Sequence, residues 1–254
     1  MSDTPHRVTW LPEIRTGGFA GALYGDSDPA EVSGYPDHPP RMGFFTDTSV
    51  CIGCKACEVA CKEWNHVPED GLNLLGMSYD NTGGLGADSW RHVAFIEQQK
   101  PIAAQEAGLQ HADGEQFRWL MSSDVCKHCT HAACLDVCPT GSLFRTEFGT
   151  VVVQEDICNG CGYCIPACPY GVIDQRKGDG RAWKCTLCYD RISDGLEPAC
   201  AKACPTDSIQ FGPLDELRER ADRHVLRQLR RARRGHLAAR RVHRAGAAGE
   251  RHRG

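Results

Sequence analysis

Alternation of apolar and polar positions is confined to a few short stretches of the 254 residues. Trp90–Glu97 (WRHVAFIE) and Phe117–Ser122 (FRWLMS) have strand character, and the glycines Gly83, Gly84 and Gly86 mark a loop before the first of them. Ser142–Thr146 and Thr150–Gln154 flank Glu147-Phe148-Gly149 and predict a short hairpin, supported by the β-branched run Val151-Val152-Val153. Gly162–Ala167 leaves room for about one or two helical turns despite Pro166. The first fifty residues, rich in Gly, Pro and Asp (Gly34, Pro36, Asp37, Pro39, Pro40), lack periodicity and read as an extended arm that either wraps a partner or is loose. No window approaches the ~18 consecutive apolar residues of a membrane-spanning helix, and the amino terminus lacks the basic-then-apolar order of a secretory or twin-arginine leader. The chain thus reads as soluble, with any membrane anchor or export signal supplied by a partner.

Cysteine changes this sparse picture. The sixteen cysteines fall into four quartets: Cys51, Cys54, Cys57, Cys61; Cys126, Cys129, Cys134, Cys138; Cys158, Cys161, Cys164, Cys168; and Cys185, Cys188, Cys200, Cys204. Each opens with C-x-x-C, and three of them close on Cys-Pro, at Pro139, Pro169 and Pro205. A run C-x-x-C-x-x-C presents three thiolates and several backbone amides from one tight loop, which suits a [4Fe–4S] cubane. In the run ending C-x₃-C-P, the fourth cysteine ligates the other cluster of a pair, so the quartets must be paired.

Cys138 and Cys158 are only 20 residues apart, so the second and third quartets exchange fourth ligands in the manner of a two-cluster bacterial ferredoxin, leaving the first and fourth to pair. The expected ligand sets are Cys51, Cys54, Cys57 with Cys204; Cys61 with Cys185, Cys188, Cys200; Cys126, Cys129, Cys134 with Cys168; and Cys138 with Cys158, Cys161, Cys164. The 64 residues between the first two quartets form either a partner-facing insertion or a cap over the cluster core.

Four Cys₄ zinc sites are the main alternative, but a zinc ribbon has no use for the third cysteine of C-x-x-C-x-x-C or for the closing Cys-Pro. Disulfides fit less well, since neighbouring thiols in such a run lie too close for ordinary bridges. No dinucleotide or P-loop glycine pattern appears, nor H-E-x-x-H or G-x-S-x-G, so no catalytic site and no direct small-molecule substrate is expected. His128 and His131 lie inside the second quartet and read as loop or supporting residues. Lys55, Lys127 and Lys184, each beside a cysteine, read first as solvated lysines and second as groups that raise cluster potentials or steer a partner.

The net charge of −4 conceals an asymmetry: of 29 Lys+Arg and 33 Asp+Glu, residues 218–254 hold 13 and 3, leaving 16 against 30 in the acidic body. Residues 227–254 contain ten Arg, six Ala, four Gly and three His without an aromatic residue. This low-complexity stretch reads first as a shifted-frame translation of GC-rich DNA, against a genuine tail that binds anionic lipid or an acidic partner. No nucleic-acid partner is inferred from it.

The segments CIGCKACEVACKEWN (51–65), CNGCGYCIPACPYGV (158–172), KCTLCYDRISDGLEPACAKACPT (184–206) and SIQFG with DELRERAD (208–222) resemble the four-cluster iron–sulfur (beta) subunits of the dimethyl sulfoxide reductase superfamily of molybdenum/tungsten oxidoreductases. Within it, the stretch 184–206 is most similar to the beta subunits of respiratory formate dehydrogenases. The resemblance implies an α+β fold of two ferredoxin-like dicluster halves with short strands, short helices and long loops. The corresponding division is an arm (1–42), a four-cluster domain (43–226, with insertion 62–125) and the basic tail (227–254). It further implies four [4Fe–4S] clusters, the crossed ligand pairing above, and a non-catalytic role in electron transfer. The implied partners are a molybdopterin-containing catalytic subunit and an integral membrane quinone-reducing subunit, which would hold the chain peripheral to the cell membrane. Another molybdoenzyme or a hydrogenase as partner, or a free-standing polyferredoxin, remain the alternatives.

Overall fold

In the computed structural model, residues 28–71, 74–76, 80, 82–98 and 118–224 are described. The outer parts of the predicted arm, Phe117 and the basic tail lie outside them. The described strands are β1 (Met42–Thr46), β2 (Arg91–Gln98), β3 (Arg118–Val125), β4 (Leu143–Arg145), β5 (Val151–Val153), β6 (Asp174–Gln175), β7 (Ala182–Trp183) and β8 (Ile209–Pro213). They form two-stranded ribbons, β1 with β8, β2 with β3, β4 with β5, and β6 with β7. The helices are as brief: α1 (Pro29–Val32), α2 (Ala56–Trp64), α3 (Ala133–Asp136), α4 (Cys164–Ala167), α5 (Tyr189–Ser193) and α6 (Ala199–Lys202), followed by helical residues 214–224. Among the described residues, no helix is long and apolar enough to cross a membrane.

The chain divides into two compact units. The first contains residues 28–41, 85–90 and 125–187. Its hairpin of β4 and β5 is the predicted one, with Leu143 opposite Val153 and Arg145 opposite Val151. The turn closes through Thr146, whose hydroxyl lies 2.7 Å from that of Thr150. Leu143, Val151, Ile173 and Ala182 bury together with Cys164 and Ala132, and cysteines of the second and third quartets pack against them. A core this small is organised around thiols as much as around aliphatic side chains.

The second unit contains the described residues of 42–84, 91–124 and 188–224. Here β1 and β8 pair antiparallel, setting Phe44 opposite Phe211 with ring centroids 5.7 Å apart. Val93 and Phe95 of β2 and Met121 of β3 pack with Cys57, Cys200 and Ile209, so the β2–β3 ribbon caps this unit's own core. Of this unit's strands, β2 and β3 had a readable period, whereas β1, like α1 of the first unit, falls in the stretch read as arm and loop. Asp28 caps α1 by accepting from the Ala30 amide, and Pro29 fits the first helical turn because its missing N–H has no partner to lose there.

Glu58, 6% exposed on α2, accepts from the Val93 amide and takes the Lys55 ammonium at 3.3 Å. Glu58→Ala leaves both donors without this acceptor and should cost about 2 kcal/mol. The expected readout is a lower denaturant midpoint for loss of cluster absorbance.

Candidate cluster-binding sites

Three cavities are each framed by four cysteines. In the first unit, Cys138 joins Cys158, Cys161 and Cys164 around one, and Cys126, Cys129 and Cys134 surround another with Cys168. In the second unit, Cys51, Cys54 and Cys57 face Cys204. Of the remaining cysteines, Cys61 and Cys188 both receive the Asn65 side-chain amide, at 3.8 and 3.6 Å, and Cys200 lies close enough to influence the Cys188 thiol. Cys185 lies close to the end of the first unit, where its Sγ accepts from the Leu187 amide at 3.3 Å.

The cysteine loops share one backbone device. The residue before the second cysteine is left-handed in every quartet: Gly53 (φ 66°), His128 (φ 44°), Gly160 (φ 71°) and Leu187 (φ 61°). Alternation of right- and left-handed residues turns successive N–H groups to one side, a concavity suited to an anion. Glycine adopts this without strain, whereas His128 and Leu187 each carry about 1–2 kcal/mol of it, held by burial.

The fourth thiols of two cavities sit in matching turns. Cys138, Thr140, Ser142 and Leu143 recur sixty-six residues later as Cys204, Thr206, Ser208 and Ile209. Burial raises both thiols, but the amides of Leu143, Thr140 and Ser142 with the Thr140 hydroxyl outweigh it at Cys138 and lower it below the ordinary range. The amides of Ile209, Thr206 and Ser208 with the Thr206 hydroxyl do the same at Cys204. The deeper thiols shift the other way: burial raises Cys57, Cys129, Cys134 and Cys188, and pushes Cys164 up to about 11. Such thiols become ligands when a bound cation offsets the cost of the buried thiolate.

Polar neighbours reach the sulfurs from outside the quartets. Ser123 Oγ lies 3.4 Å from Cys57 Sγ and is held by Arg91, which is 1% exposed and stacked over Phe44 at 4.8 Å. The Ala182 amide donates to Cys158 Sγ at 3.4 Å. Of the three lysines beside cysteines, Lys127 is exposed and Lys55 is half-buried between Asp80 (2.8 Å) and Glu58. Lys184 departs from the solvated reading: it is 1% exposed, and its Nζ lies 3.6 Å from Cys126 Sγ. His128 is buried and His131 exposed.

This donor set fits a polynuclear group larger than one ion, anionic once its four thiolates are counted. Zn–S bonds are ~2.3 Å long, yet among the described residues no three His, Cys, Asp or Glu side chains converge tightly enough for a single metal ion. The buried Lys184 ammonium, unmatched by any carboxylate within ion-pair distance among the described residues, also calls for negative charge in the cavity, which thiolate ligands would supply.

Two family models described as 4Fe-4S dicluster domain match residues 50–142 and 117–214. The B subunit of anaerobic dimethyl sulfoxide reductase from Escherichia coli is 38% identical over 181 residues, which cover 71% of the present sequence and 77% of that relative. This polypeptide belongs to the family of four-cluster iron–sulfur subunits. The nitrate-inducible formate dehydrogenase iron–sulfur subunit of Escherichia coli is 40% identical over 190 residues, 74% of this subunit. That of Haemophilus influenzae is 40% identical over 191 residues, again 74% of this subunit. The match spans 60% and 57% of those two relatives' lengths. The iron–sulfur subunit carries four [4Fe–4S] clusters in two ferredoxin-like dicluster halves.

Proposed function

We propose that this subunit passes electrons within a formate dehydrogenase complex, from a molybdenum/tungsten catalytic subunit through four [4Fe–4S] clusters to a membrane quinone-reducing subunit. It breaks no bond of formate itself. The observation that carries the reading is the set of three cavities, each taking three cysteines from one quartet and the fourth from another. The proposed ligand sets are those of the three cavities, with Cys61, Cys185, Cys188 and Cys200 as the fourth. Each bound group supplies one-electron chemistry. The chain's own part is to hold the four groups in fixed positions, dry on their inner sides, with Asn65, Ser123, Thr140, Thr206 and Lys184 set beside ligand sulfurs. The proposed location is peripheral to the cell membrane, through the partner subunits.

Formate is favoured as the partner enzyme's substrate by the similarity of about 40% to formate dehydrogenase subunits. The larger share of the dimethyl sulfoxide reductase relative that is matched, 77%, supports the second reading, the same role beside another molybdoenzyme. Purification of the complex through this subunit separates the two. Reduction of a dye with formate is expected; a complex active only with another substrate overturns the formate assignment. Metal analysis of the loaded chain should give about sixteen irons and about sixteen acid-labile sulfides, and zinc in their place would overturn the cluster reading.

A further inference from the structure

We infer that Lys184 and His128 raise the reduction potential of the site framed by Cys126, Cys129, Cys134 and Cys168, making it a better electron acceptor than the other two described cavities. The inference rests on the ligand set proposed above. Lys184 brings a full positive charge to the cavity wall: its Nζ meets Cys126 Sγ at 3.6 Å and the carbonyls of Val151 and Cys185, the latter at 3.0 Å. None of these partners carries a compensating carboxylate charge, and none lies within ion-pair distance among the described residues.

His128 adds a directed donor. Its Nδ1 accepts the Val151 amide at 3.1 Å, so a neutral ring must carry its proton on Nε2. Nε2 is itself buried without a hydrogen-bond partner among the described residues, and His128 lines the same cavity. An unpaired buried donor is costly, and a sulfide or thiolate in the cavity would complete it.

The other cavities lack this combination. No Lys, Arg or His lines the one framed by Cys138, Cys158, Cys161 and Cys164. Lys55 lines the one framed by Cys51, Cys54, Cys57 and Cys204, but Asp80 at 2.8 Å and Glu58 at 3.3 Å offset its charge. One-electron reduction adds a negative charge and makes or breaks no bond. A cation beside a ligand sulfur and an N–H donor therefore favour the reduced form.

The test is a dithionite and dye-mediated redox titration of the full-length, cluster-loaded chain, followed by electron paramagnetic resonance, with iron and sulfide counted in each variant. Lys184→Met should lower one of the four potentials, its reduction constant falling about tenfold, or about 59 mV for one electron. Lys184→Arg, which keeps the charge, should restore most of that loss. In His128→Asn the residue tolerates left-handed backbone and retains an acceptor for the Val151 amide but loses the distal N–H. A fall of about threefold at the same site is expected. Lys184→Met with four clusters and unchanged potentials overturns the inference, as does an Arg variant that falls as far as Met. Should Lys184→Met fail to load, His128→Asn decides: a lowered potential supports the inference and an unchanged one overturns it. Fewer than four clusters in the unmodified chain would instead overturn the ligand reading on which the inference rests.

Discussion

In Cys204→Ala, alkylation under native conditions is expected to label Cys51, Cys54 and Cys57, thiols roughly 150 residues earlier in the chain, with a loss of up to about four irons per molecule. The expectation follows from the cavity these four residues frame and from the turn that presents Cys204. That turn gathers the amides of Thr206, Ser208 and Ile209 and the Thr206 hydroxyl, 3.8 Å away, around the sulfur. Alanine leaves those donors in place and removes only the thiolate, so the defect is confined to one site. Ile209 then continues into β8, whose pairing with β1 does not depend on the substituted side chain. Cys185, Cys188 and Cys200 should remain protected. Labelling of those three, with Cys51, Cys54 and Cys57 protected, would show that the first and fourth quartets are paired in another way. Mass spectrometry of the alkylated peptides distinguishes the two patterns directly.

The proposed crossed grouping is read from spacing. Three cysteines within seven residues can share one loop, and a fourth, four residues on, lies one helical turn further along, as Cys61 does from Cys57 on α2. The hairpin of β4 and β5 was legible for a related reason: Val151, Val152 and Val153 prefer extended backbone, and Gly149 (φ 70°) supplies the left-handed turn position between the strands. By contrast, β1 carried no readable signal. Its five residues (MGFFT) have no alternation, and its partner β8 lies more than 160 residues away. Pairing at that separation is decided by the packing of Phe44 on Phe211, which no local pattern reports.

The charged residues inside were hidden for a different reason. Arg91 shares a strand face with Val93 and Phe95, but a charged side chain gives no sequence sign of burial; it is 1% exposed and holds Ser123 beside Cys57. Lys184 reads as a solvated lysine because a buried ammonium is unfavourable in an ordinary protein interior. What reverses that balance is the net negative charge of a cluster with its four thiolates, and the cluster is not part of the sequence. Burial of Lys184 and the incomplete hydrogen bonding of His128 are thus intelligible only with the occupant in view.

The same reasoning separates two glycines that look alike in CNGCGYC. Gly160→Ala should abolish stable loading of the site framed by Cys138, Cys158, Cys161 and Cys164, whereas Gly162→Ala should retain it. Both are left-handed, at φ 71° and 76°, so alanine at either costs about 1–2 kcal/mol in backbone strain. At Gly162 the added methyl meets only Ile165 Cδ1, at 3.8 Å, an ordinary contact. At Gly160 it would stand 2.5 Å from the Gly180 carbonyl oxygen, which is backbone and cannot rotate aside. Relief requires moving the turn at 176–181, where the Gln175 side-chain amide ties the Gly160 carbonyl (3.0 Å) to that of Gly180 (2.6 Å). The same turn leads into Ala182, whose amide donates to Cys158 Sγ, so displacement reaches a ligand. Strain and overpacking together come to roughly 3 kcal/mol, concentrated on a loop with little apolar area to absorb it. Iron and sulfide counts on the two purified variants, beside native alkylation of Cys158 and Cys161, give the comparison. Equal loading of both would mean that the loop and the 176–181 turn move apart freely, and that their close approach does not help to hold the site.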